Sequence, residues 1–220
     1  AIVVVEAHCI NDMGDETFRP LYRQLKRLRD YTGQEVLFVA CTATCTSKAL
    51  KIIWDTLEFG HRPFWGITIG CERSNLSYIT RILENKDDPV LDILHILPTI
   101  LNAATRREDI NKALLYCHSK NACRQVVRTL RKILPEHLRD CVQPFSSDGS
   151  DASKAGCWDG FMSGRYRILC ATDAAGMGCN VPDVKYSIVF GLPRSLSVLA
   201  QRWGRAARDH TLMGVCILLV

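Results

Sequence analysis

Two arginines three residues apart, in the segment QRWGRAARD at 201–209, are the first feature of this chain with an evident chemical use. On a helix, the spacing of Arg205 and Arg208 would place both guanidinium groups on one face. Each guanidinium presents a planar fork of donors and never loses its charge, so the pair suits a polyphosphate. Gln201 opens the same segment with a further polar group. Taken alone, the segment is equally compatible with a solvated arginine-rich surface.

A carboxylate and an imidazole follow the apolar run at 1–5, which has the composition of a buried strand. At the end of a parallel strand, Glu6 could polarise the water that attacks a γ-phosphate. His8, two residues later, could relay the consequence to another part of the molecule. The alternative is a strand that simply exits into a polar turn.

Hydroxyl side chains follow two further apolar runs. Thr42 and Thr44 come after the strand predicted at 36–40, and two hydroxyls flanking a small residue can hydrogen-bond across a cleft between domains. A threonine-capped helix start is the alternative. Ser119 follows the strand predicted at 113–117, where the first amides of a helix could meet a nucleic-acid phosphate. A plain strand-to-helix turn explains that segment equally well.

A glycine-containing segment, ATDAAGMG at 171–178, follows another apolar run. Gly176 and Gly178 let the backbone approach a ligand closely, and Asp173 and Asn180 add polar groups to the same loop. Such loops also occur as structural turns. In chain order, however, the carboxylate, the hydroxyls, the glycine loop and the arginine pair together predict a nucleic-acid-stimulated NTPase.

Composition limits the classes of protein to which this chain can belong. With 220 residues, 47% of them hydrophobic, it can build a substantial core, yet it has no apolar run of the ~18 residues that a membrane span needs. A net charge of +5 permits nucleic-acid binding without requiring it. The eleven cysteines are scattered, and no pair has a second pair at zinc-site spacing, so we expect free thiols and no zinc site.

Apolar periodicity predicts an α/β fold with a parallel sheet flanked by helices, because strands and helices alternate along the chain. A polar stretch at 84–90 is the best candidate for a domain boundary. Ligands of such sheets bind at the carboxyl ends of the strands, where most of these motifs are expected. Strands are predicted at 1–5, 36–40, 67–69, 113–117, 166–171, 185–190 and 214–220, and helices at 20–30, 46–57, 90–103, 121–134, 152–163 and 195–207.

Taken together, the motifs resemble those of the RecQ family of DNA helicases. The matching segments follow the family's order over nearly the whole chain: EAHCI at 6–10, FRPLYRQL at 18–25, TAT at 42–44, RSNLSY at 73–78, ATDAAGMGCNVPDV at 171–184 and QRWGRAARD at 201–209.

The resemblance implies a motor of two RecA-like domains, with the C-terminal part of the first at 1–85 and the second at 88–220. It implies ATP and Mg²⁺ in the cleft between them, single-stranded and duplex DNA as partners, and translocation from 3′ to 5′. It further implies a monomeric, nuclear protein of DNA repair and recombination. Neither a membrane nor a zinc ion within this chain is expected as a partner.

The resemblance also assigns roles to individual residues. Glu6 would be the catalytic carboxylate, His8 would couple hydrolysis to DNA, and Arg208 would be the arginine finger. The catalytic set is Glu6, His8, Gln201, Arg205 and Arg208. The nucleotide-binding set is Glu6, Gly176, Gly178, Asn180, Arg205 and Arg208, and the nucleic-acid-binding set is Phe18, Arg19, Thr42, Thr44, Ser119, Thr172 and Asp173.

The chain also departs from the family pattern. Val5 stands where the family's D-E-A-H motif has the aspartate that helps to hold Mg²⁺, Met13 where an aromatic loop usually has tryptophan, and Ala207 where glycine is usual. The 220 residues contain no G-x-x-x-x-G-K-[ST], so we expect a fragment that begins after that motif and hydrolyses ATP poorly by itself. Two alternatives stay open: a nucleic-acid-binding remnant without catalysis, and an RNA helicase of a sister family. The segments at 9–10 and 18–25 favour the DNA branch.

Overall fold

The computed structural model describes residues 1–12, 20–33, 35–60, 63–70, 72–85, 87–145, 150–172 and 180–220. The chain forms two compact units, Ala1–Glu72 and Arg73–Val220. This division lies before the polar stretch at 84–90 that was expected to separate the domains. The reason is a strand at Leu76–Arg81, which precedes that stretch yet pairs within the sheet of the second unit.

The first unit is built around two parallel strands, β1 (Ile2–Val5) and β2 (Phe38–Cys41), with Ile2 opposite Phe38 and Val5 opposite Cys41. The β-branched residues of β1 suit an extended backbone. Its helices are α1 (Cys9–Asp12), a 3₁₀ helix at Pro20–Gln24, α2 (Arg27–Thr32) and α3 (Ser47–Thr56). The single helix predicted at 20–30 is thus two shorter ones.

One face of this small sheet carries the core of the first unit. Side chains of a strand alternate between faces, so Phe38 packs with Ile10, Ile53 and Leu57 on one side. On the other side Val5 is 71% exposed.

The second unit contains a six-stranded, wholly parallel sheet, as predicted from the alternation of strands and helices. Its central strands are near-continuous apolar runs, which is typical of parallel strands covered on both faces. The strands are β3 (Leu76–Arg81), β4 (Ala113–Tyr116), β5 (Val142–Phe145), β6 (Ile168–Ala171), β7 (Tyr186–Phe190) and β8 (Gly214–Leu219), in the order β3-β8-β7-β4-β6-β5.

Helices cover both faces of this sheet. Alternate residues of β4 divide between two clusters, Leu115 packing beneath one set of helices and Leu114 beneath the other. Serine hydroxyls cap the three α-helices, each accepting from the amide three residues later. The helices are α4 (Lys120–Ile133), α5 (Asp151–Met162) and α6 (Leu196–Trp203), with 3₁₀ helices at Pro89–Ile96, Arg107–Asp109 and Glu136–Cys141.

Several predicted elements differ from the observed ones for local reasons. The helix predicted at 90–103 is a 3₁₀ helix that ends at Ile96, shortly before Pro98. The strand predicted at 67–69 does not form, and that segment is exposed throughout. The sequence interpretation missed β3 and β5, which form the two edges of the sheet. Edge strands tolerate polar residues and proline, so their apolar pattern is weak.

The cysteines mostly serve as core residues. All nine cysteines within the described residues are free thiols. Burial raises the pKa of Cys141 to about 11 and the pKa of Cys216 to about 12, so both stay protonated at neutral pH. No helix in the described part of the chain is long and apolar enough to cross a membrane.

Two glycines of α5 give a matched test of its packing. A Cβ at Gly160 would lie 2.4 Å from a ring carbon of Tyr166, whereas a Cβ at Gly156 would meet nothing within 4 Å. We expect Gly160→Ala to lower the free energy of unfolding by about 1–3 kcal/mol through overpacking. Gly156→Ala should raise it by about 0.5–1 kcal/mol, because alanine is the better helix former. Urea denaturation of the two variants measures both, and shifts of the same sign would contradict this packing.

Candidate functional site

Glu6 occupies a strained turn directly after β1. Its φ is 52°, in the left-handed region that non-glycine residues rarely adopt. The next amide, that of Ala7, donates to the carbonyl of Cys41 at 2.9 Å and so ties the turn to the end of β2. Such strain costs on the order of 1–3 kcal/mol and persists where the surroundings enforce it, often at functional sites. The turn leaves the Glu6 side chain 45% exposed.

A chain of polar contacts connects Glu6 to the segment after the neighbouring strand. His8 Nδ1 lies 3.3 Å from Glu6 Oε2 and 2.8 Å from Thr42 Oγ1. The Thr42 hydroxyl donates its one hydrogen to the carbonyl of Thr44 at 3.0 Å. Thr42 Oγ1 must therefore accept from His8, which assigns the hydrogen to Nδ1. A change in charge at Glu6 can thus reach the segment after β2 through two side chains.

The predicted residues Glu6, His8, Thr42 and Thr44 are therefore brought together, the last through its backbone. The Thr44 hydroxyl is buried and has no hydrogen-bond partner among the described residues. It is free to receive one from another segment or a ligand, because a buried hydroxyl is seldom left unsatisfied. The linking role expected for the two threonines remains a prediction.

The described residues do not fit a Mg²⁺ ion. Magnesium prefers carboxylate oxygens, but beside Glu6 the neighbouring position presents the exposed apolar side chain of Val5. No group of three or more histidine, cysteine, aspartate or glutamate side chains that could hold a metal occurs in the part of the chain that the structure describes.

Restoring the missing carboxylate tests this conclusion. Val5 is largely exposed, so Val5→Asp should leave the fold intact. In the protein made from the full open reading frame that contains this sequence, we expect Val5→Asp to raise Mg²⁺-dependent ATP turnover at least about tenfold. Val3→Asp, at another exposed position of the same strand, is the control and should have no effect on turnover. An equal rate for wild type and Val5→Asp would contradict the inference.

The arginine pair does not lie on a helix, contrary to the sequence prediction. The helix expected at 195–207 ends at Trp203, and Arg205 and Arg208 belong to the turn that follows. Within that turn Ala207 is fully buried with a φ of 42°, a conformation that favours glycine. The two arginines therefore belong to a turn and not to one face of a helix. We name this turn the arginine loop (residues 204–208).

Two side chains from before β3 hold the arginine loop by its carbonyl groups. Arg73 donates to the carbonyl of Ala206 at 3.1 Å and to that of Ala207. Asn75, which is 6% exposed, donates to the carbonyls of Ala207 at 2.9 Å and Leu212 at 3.0 Å. These bonds join residues more than 130 positions apart and satisfy carbonyl groups of the turn that follows α6.

The rest of the segment RSNLSY packs against the same loop and against the end of α6. Leu76 is buried with Ala206 and Ala207, and the ring of Tyr78 lies 5.2 Å from that of Trp203, centre to centre. The sequence interpretation used this segment as a family motif and did not predict that it holds the arginine loop. The available signal was an arginine and an asparagine placed just before an apolar strand. Arg73 and Asn75 are thus positioning residues of the arginine loop.

The two arginines of the loop differ in their surroundings. Arg208 Nη1 donates to Asn180 Oδ1 at 2.9 Å, which brings together two residues predicted to bind nucleotide. Arg205 is half-buried and lines a small pocket with Leu114, Trp158, Val181 and Val184. Gln201 lies half-buried on α6.

The predicted residues of the second unit lie at opposite ends of its sheet. Ser119 and Thr172 follow β4 and β6, whose last residues pair, so both lie at the carboxyl edge. The arginine loop lies at the amino edge, because the amide of Ala207 donates to the carbonyl of Val184, just before β7. The arginines thus lie apart from the carboxyl edge, where most of the motifs are expected. The separation leaves room for two different ligands.

Several predicted residues lie outside the described residues. They are Met13, Phe18, Arg19, Asp173, Gly176 and Gly178.

Comparison with known proteins shows the family to which this chain belongs. Residues 92–210 match the model of the helicase conserved C-terminal domain. The chain is 27% identical over 99% of its length to the RecQ-like DNA helicase blm-1 of Caenorhabditis elegans. It is 29% identical over 94% of its length to the ATP-dependent helicase SGS1 of Saccharomyces cerevisiae. It spans 20% of the first relative and 13% of the second.

Solved structures of similar fold are also helicases. One is helicase Lhr of Mycobacterium smegmatis bound to single-stranded DNA and AMP-PNP, with a TM-score of 0.72 and 17% identity over 99% of this chain and 28% of that one. Another is Dbp5 of S. cerevisiae bound to RNA and ADP BeF3, with a TM-score of 0.67 and 19% identity over 99% of this chain and 52% of that one. At this level of identity the likeness shows a shared fold alone, a parallel sheet flanked by helices.

Proposed function

Because this chain belongs to the helicase family that shares the conserved C-terminal domain, and within it to the RecQ type, we propose that it works in a motor that couples ATP hydrolysis to movement along DNA. In this proposal the motor moves from 3′ to 5′ along one strand and separates the duplex ahead of it. The chain spans one fifth or less of these relatives, and the proposal concerns the whole protein.

The hydrolytic step is proposed to depend on Glu6. A carboxylate at a strand end can orient the attacking water and accept its proton. The observation that carries the proposal is the chain Glu6–His8–Thr42, with contacts of 3.3 and 2.8 Å, which begins at a residue in a strained conformation. Loss of the γ-phosphate would alter the charge beside Glu6, and His8 and Thr42 would transmit that change.

The phosphate groups of ATP are proposed to be contacted by Arg208, assisted by Arg205. Arg208 is the better candidate for the arginine finger, because one of its amino groups donates to the polar side chain of Asn180. Arg205 is half-buried and borders a small pocket lined mainly by apolar side chains, which suits a supporting role. A guanidinium on the transferring phosphate stabilises the charge of the transition state.

DNA is proposed to bind at the carboxyl edge of the second sheet, where Ser119 and Thr172 lie. The Ser119 hydroxyl already accepts from the amide of Ala122 at 3.1 Å, so its own hydrogen is available to a phosphate. We favour DNA over RNA because the relatives matched over nearly the whole chain include proteins named as RecQ-like DNA helicases. We also propose a monomeric, nuclear protein.

The choice of nucleic acid is tested by ATP turnover. We expect the protein from the full open reading frame to hydrolyse ATP faster with single-stranded DNA than with RNA of the same sequence and length. Stimulation by RNA alone would identify the sister-family alternative. DNA binding without any turnover, in wild type and in Val5→Asp, would identify the non-catalytic remnant.

A further inference from the structure

Arg202, on the last turn of α6, is an arginine of the segment QRWGRAARD whose side chain is directed into the core. The residue is only 8% exposed. Its guanidinium carbon lies 5.2 Å from the centre of the Tyr116 ring, within the distance at which an aromatic face attracts a cation. Tyr116 is fully buried and is the last residue of β4. The proposed hydrolytic step makes no use of this contact.

Through this contact the side chain of Arg202 reaches the carboxyl edge of the second sheet. A hydrogen bond with Cys123 and burial raise the pKa of the Cys117 thiol, and the charge of Arg202 opposes that rise. The guanidinium therefore lies close to the residue that follows β4. The amide of Cys117 donates to the carbonyl of Ala171 at 2.8 Å, which ties the ends of β4 and β6 together. The residues proposed to bind DNA lie just beyond these two strand ends.

The backbone of Arg202 is joined to the arginine loop, which lies at the opposite edge. The Arg202 carbonyl accepts from the amide of Arg205 at 3.2 Å and from the hydroxyl of Ser187 at 2.8 Å. Ser187 is fully buried in β7, so it fixes this turn of α6 against the sheet. Arg202 thus contacts the strand end near the DNA-binding residues with its side chain, and the loop that carries Arg208 with its carbonyl.

We propose that Arg202 is a positioning residue that couples DNA binding at the carboxyl edge to the position of the arginine loop. A phosphate bound after β4 would displace the strand end against the guanidinium. Because a close-packed interior transmits strain, the last turn of α6 and the arginine loop would follow. The inference rests on the proposed function for the places of the two ligands. Coupling is reciprocal, so a nucleotide that holds the loop would change the affinity for DNA by the same factor.

The alternative is that Arg202 contributes to stability alone, and Arg131 offers a matched comparison. Arg131 is a half-buried arginine of the same unit, and it donates to the carbonyl of Val142 at 2.7 Å. Val142 is the first residue of β5, so this contact lies away from the carboxyl edge. Methionine keeps a flexible apolar stem at either position, so Arg202→Met and Arg131→Met should both fold.

The test measures hydrogen exchange at the amides of the arginine loop, with and without a saturating oligothymidylate. It uses the protein made from the full open reading frame, without nucleotide. Besides the two methionine variants, Tyr116→Leu removes the aromatic face and Tyr116→Phe keeps it. Circular dichroism establishes that each variant is folded at the assay temperature, and fluorescence anisotropy measures its affinity for the oligothymidylate.

In wild type we expect DNA to change the exchange rates of the loop amides by about fivefold or more, the lower end of typical couplings between sites. The change should be lost in Arg202→Met and in Tyr116→Leu, whereas Tyr116→Phe and Arg131→Met should keep it. Affinity for DNA should stay within about threefold of wild type in all four variants, because Arg202 is buried and contacts no phosphate in this proposal.

An equal DNA-dependent change in wild type and in Arg202→Met would overturn the proposal. So would a wild-type protein that binds DNA without any change in the arginine loop. A wild-type protein that binds no DNA would contradict the proposed function, and the inference would fall with it. Anisotropy separates that case from the other two, and none of these outcomes depends on ATP turnover.

Discussion

Replacing Arg208 by alanine should lower DNA-stimulated ATP turnover by a factor of about a thousand or more, while DNA binding stays near normal. Arginine fingers contribute rate factors of this size because their charge is placed where the transition state develops its own. The folded state should lose little, because Arg208 is half-exposed and water can replace its bonds, which include those to Asn180 and to the carbonyl of Gly204. The assay uses the protein made from the full open reading frame. The substitution is introduced into wild type or into Val5→Asp, whichever hydrolyses ATP faster.

Two variants control this result. Arg194→Ala removes an exposed arginine from the loop before α6 and should leave turnover unchanged. Arg208→Lys keeps the charge but loses the planar fork, so it should recover a small part of the rate. Turnover of Arg208→Ala within about threefold of the starting protein would remove Arg208 from the mechanism.

Replacing Asn75 by alanine should lower the rate of ATP turnover by about ten- to a hundredfold, although Asn75 itself contacts no substrate in this account. The substitution removes two hydrogen bonds, to the carbonyls of Ala207 and Leu212, and so releases the arginine loop. A shift of about 1 Å in a catalytic group can cost a hundredfold in rate. Because two hydrogen bonds are lost, one of them fully buried, the free energy of unfolding should also fall by about 1–3 kcal/mol.

The matched control is Asn85→Ala. Asn85 donates from its side chain to Asp92 at 2.6 Å, but on the exposed surface of the same unit, so its loss should affect neither rate nor stability appreciably. Turnover is measured at a temperature where circular dichroism shows both variants fully folded. A lower kcat with an unchanged KM for ATP would support positioning, whereas normal kcat in folded Asn75→Ala would reduce the residue to a structural role.

The parts of the fold that could be predicted from sequence are those whose cause is local. The strands β4, β6, β7 and β8 are apolar runs, because the sheet buries them on both faces. The contacts of Glu6, His8 and Thr42 were also within reach, since polar residues after adjacent parallel strands must lie at one edge.

The arginine loop could not be predicted in the same way. Between Gln201 and Arg208 the sequence favours a helix apart from Gly204, which is the C-cap of α6, and the other contacts that shape the loop are distant in the chain. Arg73 and Asn75 bind carbonyl groups more than 130 residues away, and Val184 fixes the amide of Ala207. Helical periodicity contains no information about such tertiary bonds. These bonds hold the turn in a shape that requires a positive φ at Ala207. That requirement explains why glycine is usual at this position in the family.

The central claim, that this chain belongs to a motor that separates DNA strands, is tested most directly by strand displacement. The protein from the full open reading frame, in the faster of the two backgrounds, is mixed with ATP and a DNA duplex that carries a single-stranded tail at either its 3′ or its 5′ end. We expect displacement from the 3′-tailed duplex, none from the 5′-tailed duplex, and none for Arg208→Ala. Two results would contradict the account. One is that the protein binds both tailed duplexes but displaces a strand from neither, and the other is that it displaces a strand only from the matched RNA duplex.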